Sequence, residues 1–278
     1  MSRTDRIGAR FAALKAKNQA ALAAFVTAGD PDEATSRAIL AALPHAGADI
    51  VELGMPFSDP VADGPAIQLA SERALAAGAS LRKTLAMVRG FRTDDRETPI
   101  VLMGYFNPIY SYGAETFATD AAAAGVDGLI IVDLPPEEDE DLRPFAQAAG
   151  LHLVRLVTPT SDEARLAKVL KGAGGFVYHV AVAGITGTKA AGIEELSDAL
   201  AVVRRHTTLP LAVGFGIRTP EQSAAVARVA DAAVVGTAIV ERIAGGLGAD
   251  GRAGPGLIDG VAASVRALAE AVHGARGG

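Results

Sequence analysis

Apolar positions along this chain fall into two patterns that alternate. Short β-prone runs with little polar interruption occupy residues 21–27, 48–53, 99–103, 128–132, 151–157, 175–180, 209–213 and 232–235. Between them lie Ala-, Leu-, Glu- and Arg-rich stretches at 31–43, 66–76, 114–124, 136–149, 161–170, 193–205 and 220–229, whose length and composition predict helices. Several of these open on N-terminal signals: Asp30-Pro31, Pro135-Pro136, Thr160-Ser161-Asp162 and Thr219-Pro220. Strands without strict polar alternation are buried on both faces, and helices between successive strands imply parallel pairing. Eight such units predict an α/β fold, a (β/α)8 TIM barrel, with an open doubly wound sheet as the alternative. No GxGxxG follows the first strand, which weighs against dinucleotide binding.

Ahead of the first strand, residues 1–17 have no apolar signal-peptide core and read as an extra amphipathic helix with Ile7, Phe11 and Leu14 on one face. No linker interrupts the alternation, so residues 1–278 are expected to form one barrel domain. The Gly-rich segment 244–256 reads as a flexible surface loop before a last helix near 261–272, and the terminal ARGG as unordered. The longest uncharged run, 172–188, is too broken by glycine to span a bilayer.

Composition narrows the partners. A net charge of −6 and a pI near 5.4 leave no basic footprint for nucleic acid. The absence of cysteine removes disulfides, thiolate metal sites and a Cys nucleophile, and is compatible with a reducing cytosol. The five histidines, at 45, 152, 179, 206 and 273, show no metal-ligand spacing, so no metal is expected. GxSxG is absent, and Lys189 lies in a Gly-rich loop rather than in the desolvated strand position that a Schiff base needs.

Candidate chemistry gathers at strand ends, where parallel α/β folds converge their loops on one pocket. The run VELGMPFSDPVADGP, residues 51–65, carries three carboxylates: Glu52, Asp59 and Asp63. The two-residue period puts Ala48, Ile50 and Glu52 on one face of the second strand, with Glu52 last on that face, at the pocket end. Glu52 reads either as an acid/base or as one half of an ion pair at the barrel rim, Asp63 as functional or as a turn and cap before Pro65, and Asp59 as a turn residue before Pro60. The same logic brings Tyr105, Asn107, Asp133, Thr158, Gly214 and Gly216 to the mouth. Asp133 has a second reading as a helix cap. Glycine-rich loops follow the sixth, seventh and eighth strands, AGITGTKAAG, GFGIRTPEQ and VGTAIV. Backbone N–H groups at such loops can approach an anion closely, and barrels commonly hold phosphate after strands seven and eight. A phosphorylated substrate is expected.

These motifs carry a family resemblance. VELGMPFSDPVADGP together with FVTAGDP (25–31), MGYFNPIYSYG (103–113), GLIIVDLPPEE (128–138), GITGTK (184–189) and VGFGIRTPEQ (213–222) resembles the tryptophan synthase alpha chain, in order from near residue 11 to about 243. The resemblance implies a lyase of L-tryptophan biosynthesis that cleaves indole-3-glycerol phosphate to indole and glyceraldehyde 3-phosphate by a retro-aldol step. It implies no cofactor in this chain, and as partner a beta chain that holds pyridoxal phosphate, in a cytoplasmic tetramer of two alpha and two beta chains.

By the same resemblance Glu52 is the proton-shuttling acid/base and Asp63 the carboxylate that steadies the indole nitrogen. Phe25, Tyr105, Ile130 and Tyr178 would line the indole pocket. Gly187, Phe215, Gly216, Gly236 and Thr237 would hold the phosphate end, and Thr186 would close over the substrate toward Asp63. The loops at 55–65 and 183–192 would be ordered only with ligand or partner bound. Thr237 stands where many relatives have Ser and keeps the hydroxyl, whereas Ala181 and Val182 depart from the family pattern. Three alternatives share parts of this reading: a stand-alone indole-glycerol-phosphate lyase, another phosphate-binding barrel, and a non-catalytic activator of a beta chain.

Overall fold

The computed structural model describes residues 4–180, 190–214 and 216–277. The chain opens on α1 (Arg6–Ala16), capped by the Asp5 carboxylate, which accepts from the Gly8 N–H. The strands are β1 (Ala21–Thr27), β2 (Ile50–Gly54), β3 (Ile100–Gly104), β4 (Gly128–Ile131), β5 (His152–Leu153), β6 (Arg155–Val157), β7 (Val177–Val180), β8 (Leu211–Gly214) and β9 (Ala232–Val235). Between and after them run α2 (Glu33–His45), α3 (Pro65–Ala76), α4 (Leu81–Asp94), α5 (Phe106–Tyr112), α6 (Ala114–Ala124), α7 (Arg143–Ala148), α8 (Glu163–Val169), α9 (Ala190–Arg204), α10 (Pro220–Val229), α11 (Thr237–Gly245) and α12 (Leu257–Gly274).

All pairings are parallel, in the order β5-β4-β3-β2-β1-β9-β8-β7-β6. Strands β5 and β6 are two halves of the expected fifth strand, interrupted at Val154. The first half pairs with β4 through Gly128↔His152 and Leu129↔Leu153, and the second pairs with β7 through Arg155↔Val177 and its successors. Closing a barrel requires the ladder to stagger around the ring, and this strand takes up that stagger by bonding one neighbour early and the other late. The result is the expected (β/α)8 barrel with an extra N-terminal helix.

Strand alternation sorts the core into two layers. Ala21, Ala23, Ile50, Val101, Ile130, Val154, Phe176, Tyr178, Ala212, Ala232 and Val234 form an inner cluster, which includes Ile7, Phe11 and Leu14 of α1. The intervening residues, among them Leu22, Ala24, Val51, Leu53, Ile100, Leu102, Leu129 and Val177, pack in the outer layer against the helices. The alanines on β1, β8 and β9 leave space inside the ring that Phe176 and α1 fill, with the Phe11 and Phe176 rings 6.0 Å apart. Helix α1 is thus a plug at the N-terminal end.

That end is held by one device used three times. Asp49, Asp127 and Asp231 each sit just before a strand and accept a hydrogen bond from the first N–H groups of a neighbouring strand: Leu22 (2.9 Å), Ile100 (2.9 Å) and Leu211 (2.8 Å). Each carboxylate also meets cations. Asp49 is reached by Arg10 and His273, Asp127 by Arg6 and Arg92, and Asp231 by Arg204. Arg6 and Arg10 belong to α1, so the same acids that terminate the ladder anchor the plug.

Three expectations change. The helix expected over 136–149 is a 3-10 turn at Asp139–Asp141 followed by α7, because Pro144 cannot continue a turn begun upstream. The Gly-rich segment is not a loose loop: it folds back on itself through a Leu247↔Ala253 bridge, a Gly248 N–H to Arg252 carbonyl bond (2.8 Å) and a Gly254 N–H to Gly246 carbonyl bond (2.9 Å). Within the terminal ARGG, Arg276 is held in place, its guanidinium donating to the carbonyls of Ala227 (2.8 Å) and Ala230 (2.5 Å).

Candidate active site

The C-terminal mouth of the barrel opens into a cavity of about 450 Å³, within the range of roughly 300–1,000 Å³ usual for small-molecule sites. Its apolar wall is built by inward positions at strand ends, Phe25, Met103, Val132, Leu156, Tyr178, Val180 and Val234. The residues that alternate with the outer core therefore become, one layer higher, the lining of the site.

Glu52 stands on this wall. It is the last carboxyl-bearing inward position of β2, in register with Phe25 of β1 and Val101 of β3. Its side chain is buried, 1% exposed, and Oε1 has no hydrogen-bond partner among the described residues. Burial without compensation disfavours the charged form and pushes its pKa up to about 8. The ion-pair reading does not hold among the described residues. Tyr178 shares the wall, and its phenol is raised by burial and then by the nearby Glu52 charge.

Asp63 reaches the same cavity from the loop between β2 and α3. Val61 N–H bonds the Asp59 carbonyl (2.9 Å), Asp63 N–H bonds the Pro60 carbonyl (3.0 Å), and the Gln68 amide donates to the Asp63 carbonyl (2.9 Å). Asp59 is a turn residue, as expected. Tyr105, the first residue after β3, accepts the Ala62 N–H on its hydroxyl at 2.9 Å. Burial raises the Asp63 pKa, and the hydrogen bond from Tyr105 opposes that rise. Burial and the Asp63 charge together raise the Tyr105 phenol to about 12, so it remains a donor. The Phe57 and Tyr105 rings pack 5.3 Å apart and hold the loop on its other side.

Gly216, Gly236 and Thr237 line the cavity where α11 begins. Thr237 opens α11, whose N-terminus has no side-chain cap and no acidic residue in its first turn. A Cβ on Gly236 would lie 3.3 Å from the Phe25 side chain, and one on Gly54 would lie 2.6 Å from the Phe25 ring, so these glycines let the ring seat between two strands. A helix start flanked by glycine presents N–H groups to an anion. Arg218 and Glu241 also line the cavity.

Not every expected residue converges. Ile130 is fully buried in the inner cluster and does not line the cavity. Tyr105 lines a small annex that shares Phe25, Asp63, Ile67, Met103 and Val132 with it. Asn107 sits on α5 and accepts from Ser111, Thr158 bonds within its own turn, and Asp133 accepts the Phe106 N–H at the start of α5 rather than capping the helix after it. Thr186, Gly187, Phe215, Ala181 and Val182 lie outside the described residues. Met103, Val132, Leu156, Val180 and Val234 were missed, although the inward period of their strands points to each of them. No group of three or more His, Cys, Asp or Glu among the described residues could hold a metal.

A barrel of this topology with two carboxyls and a glycine-lined helix start at its C-terminal mouth belongs to the (β/α)8-barrel enzymes. The family model described as Tryptophan synthase alpha chain matches residues 11–254. A solved tryptophan synthase alpha chain from Legionella pneumophila subsp. pneumophila is 38% identical with a TM-score of 0.88, covering 98% of this chain and 98% of its own. A Mycobacterium tuberculosis tryptophan synthase structure is 35% identical with a TM-score of 0.86, covering 98% of this chain and 99% of its own. The chain belongs to the tryptophan synthase alpha chain family. Its activity is the alpha-subunit lyase step of tryptophan biosynthesis, cleavage of indole-3-glycerol phosphate to indole and glyceraldehyde 3-phosphate.

Proposed function

We propose that Glu52 and Asp63 carry out this cleavage, with the indole ring on the apolar wall and the phosphate at Gly216, Gly236 and Thr237. The observation that carries the assignment is the buried Glu52 carboxyl, unpartnered at Oε1, on the wall of a cavity that also receives Asp63. With a pKa near 8, Glu52 holds its proton at neutral pH in the empty site and can deliver it to indole C3. Positive charge then develops on the ring nitrogen. Asp63, whose ionised form Tyr105 favours, accepts the indole N–H and stabilises that charge. The Glu52 carboxylate left behind takes the proton of the glycerol hydroxyl next to C3. The carbon–carbon bond breaks, its electron pair returns to the ring to regenerate indole, and the hydroxyl carbon leaves as the aldehyde. One proton is given and one is taken, so Glu52 ends as it began.

Phe25 and Tyr178 on the cavity wall, Tyr105 beside it and Ile130 behind it support an aromatic pocket. Thr186, Gly187 and Phe215 keep the roles their motifs imply. The alpha chains of this family work in alpha–beta complexes. We assign this chain to a cytoplasmic assembly of two alpha and two beta chains, the beta chain holding pyridoxal phosphate. Exposed apolar side chains at the mouth favour a docking face there: Val61 is 86% exposed, Tyr110 67% and Leu69 53%. The test is indole release from indole-3-glycerol phosphate with and without a tryptophan synthase beta chain. Weak activity that rises strongly with the beta chain supports the assignment, high activity alone favours a stand-alone lyase, and stimulation of the beta chain without any cleavage would leave a pure activator.

A further inference from the structure

Among the described residues lining the cavity, Arg218 is the one cation, against three carboxylates, Glu52, Asp63 and Glu241. It stands at the end where Gly216, Gly236 and Thr237 face the opening. Its backbone is fixed on both sides: Ile217 is buried, and the N–H groups of Arg218 and Thr219 both donate to the Gln222 side chain, at 2.8 and 3.2 Å. Thr219 and Gln222 form the capping box that opens α10. The side chain by contrast is half exposed, and it is parked in a two-point ion pair with Glu241 of α11, Nη1 to Oε2 at 2.6 Å and Nη2 to Oε1 at 3.1 Å. A pair this exposed contributes little to stability, which leaves its position at the cavity rim to be explained.

We propose that Arg218 is a phosphate-binding residue of this cavity and that Glu241 is the anion it exchanges for the phosphate. A phosphate dianion meets backbone N–H groups at Gly236 and Thr237, which supply partial positive charge but no formal charge. The planar guanidinium supplies that charge with donors spaced for two oxygens. Glu241 holds the side chain extended in the empty site and competes with the incoming anion, so the pair sets affinity from both sides. The inference rests on the phosphorylated-substrate reading above.

The two members of the pair are therefore expected to act with opposite sign. Calorimetric titration of the full chain with glycerol 3-phosphate and with inorganic phosphate compares wild type, Arg218→Gln, Glu241→Gln and the double variant, and indole serves as the phosphate-free probe. Arg218→Gln weakens both phosphate ligands by about tenfold, Glu241→Gln tightens them several-fold, and the double variant matches Arg218→Gln. Indole affinity stays put, and the salt dependence of phosphate binding falls when Arg218 is removed. Equal weakening by both single variants would make the pair a strap between two loops and overturn the proposal. Wild-type binding that Arg218→Gln leaves intact would also overturn it, without touching the assigned reaction. Absence of phosphate binding in the wild-type chain would overturn both.

Discussion

The hydroxyl of Tyr105 ties the end of the third strand to the loop that carries Asp63. It accepts the Ala62 N–H at 2.9 Å and donates to the Asp63 carboxylate, joining a strand end to a loop acid through one oxygen. Tyr105→Phe removes both bonds and leaves the ring packing against Phe57 in place. The expected result is a fall in kcat/KM of about tenfold, the loss of one charge-assisted hydrogen bond, with a thermal midpoint close to wild type. It also includes an acid limb of the pH–rate profile displaced upward, because the bond that favours ionised Asp63 is gone.

Glu52 sets the other limb. A carboxyl with a pKa of about 8 is mostly protonated at neutrality and half ionised at about pH 8. The proposed first step delivers that proton, so kcat/KM for indole release is expected to fall as pH rises through about 8, and stopped-time assays across a pH series read it directly. A rate independent of pH through that window would contradict the acid role.

The same burial has a cost in stability. The ordinary value for Glu52 is 4.5 and the folded value about 8, so between them the native chain retains a proton that the unfolded chain has released. Stability from this group therefore declines as pH rises across that window and stays lowered above it. Glu52→Gln is expected to gain relative to wild type at pH 8 by a few kcal/mol, with the gain fading toward pH 5. Urea unfolding of both proteins at the two pH values measures the difference.

Phe25 packs so closely on Gly54 that a methyl there would stand 2.6 Å from the ring. Gly54→Ala is expected to cost about 1–3 kcal/mol, the usual penalty of overpacking. Phe25→Leu in the same chain should restore part of the loss. Thermal unfolding of the single and double variants checks the pairing.

The barrel was legible because its strands are apolar on both faces and its helices carry start signals such as Thr219-Pro220. Where a ladder must stagger, the sequence has no mark: nothing in residues 151–157 announces that bonding changes partner at Val154. Helices α4, α5 and α11 also stand outside the predicted set. No helix is predicted over residues 106–112, which contain Pro108, yet α5 forms because Pro108 falls in its first turn, where no intrahelical N–H is needed. At the site, the two-residue period alone put Glu52 at the pocket end but left its role open between an acid/base and an ion pair, and the period also reaches Met103, Val132 and Leu156. The Tyr105 bridge to Ala62, the Arg218–Glu241 pair and the three aspartates at the strand starts were not legible, since each joins residues far apart in the chain.

Glu52 is proposed to move the proton on which the reaction depends. Indole release from indole-3-glycerol phosphate by Glu52→Gln, in the presence of a tryptophan synthase beta chain, tests it most directly. The expected result is cleavage lowered by several orders of magnitude, with folding and binding of glycerol 3-phosphate retained. Turnover close to wild type in that variant would contradict the claim and move the proton transfer to another group.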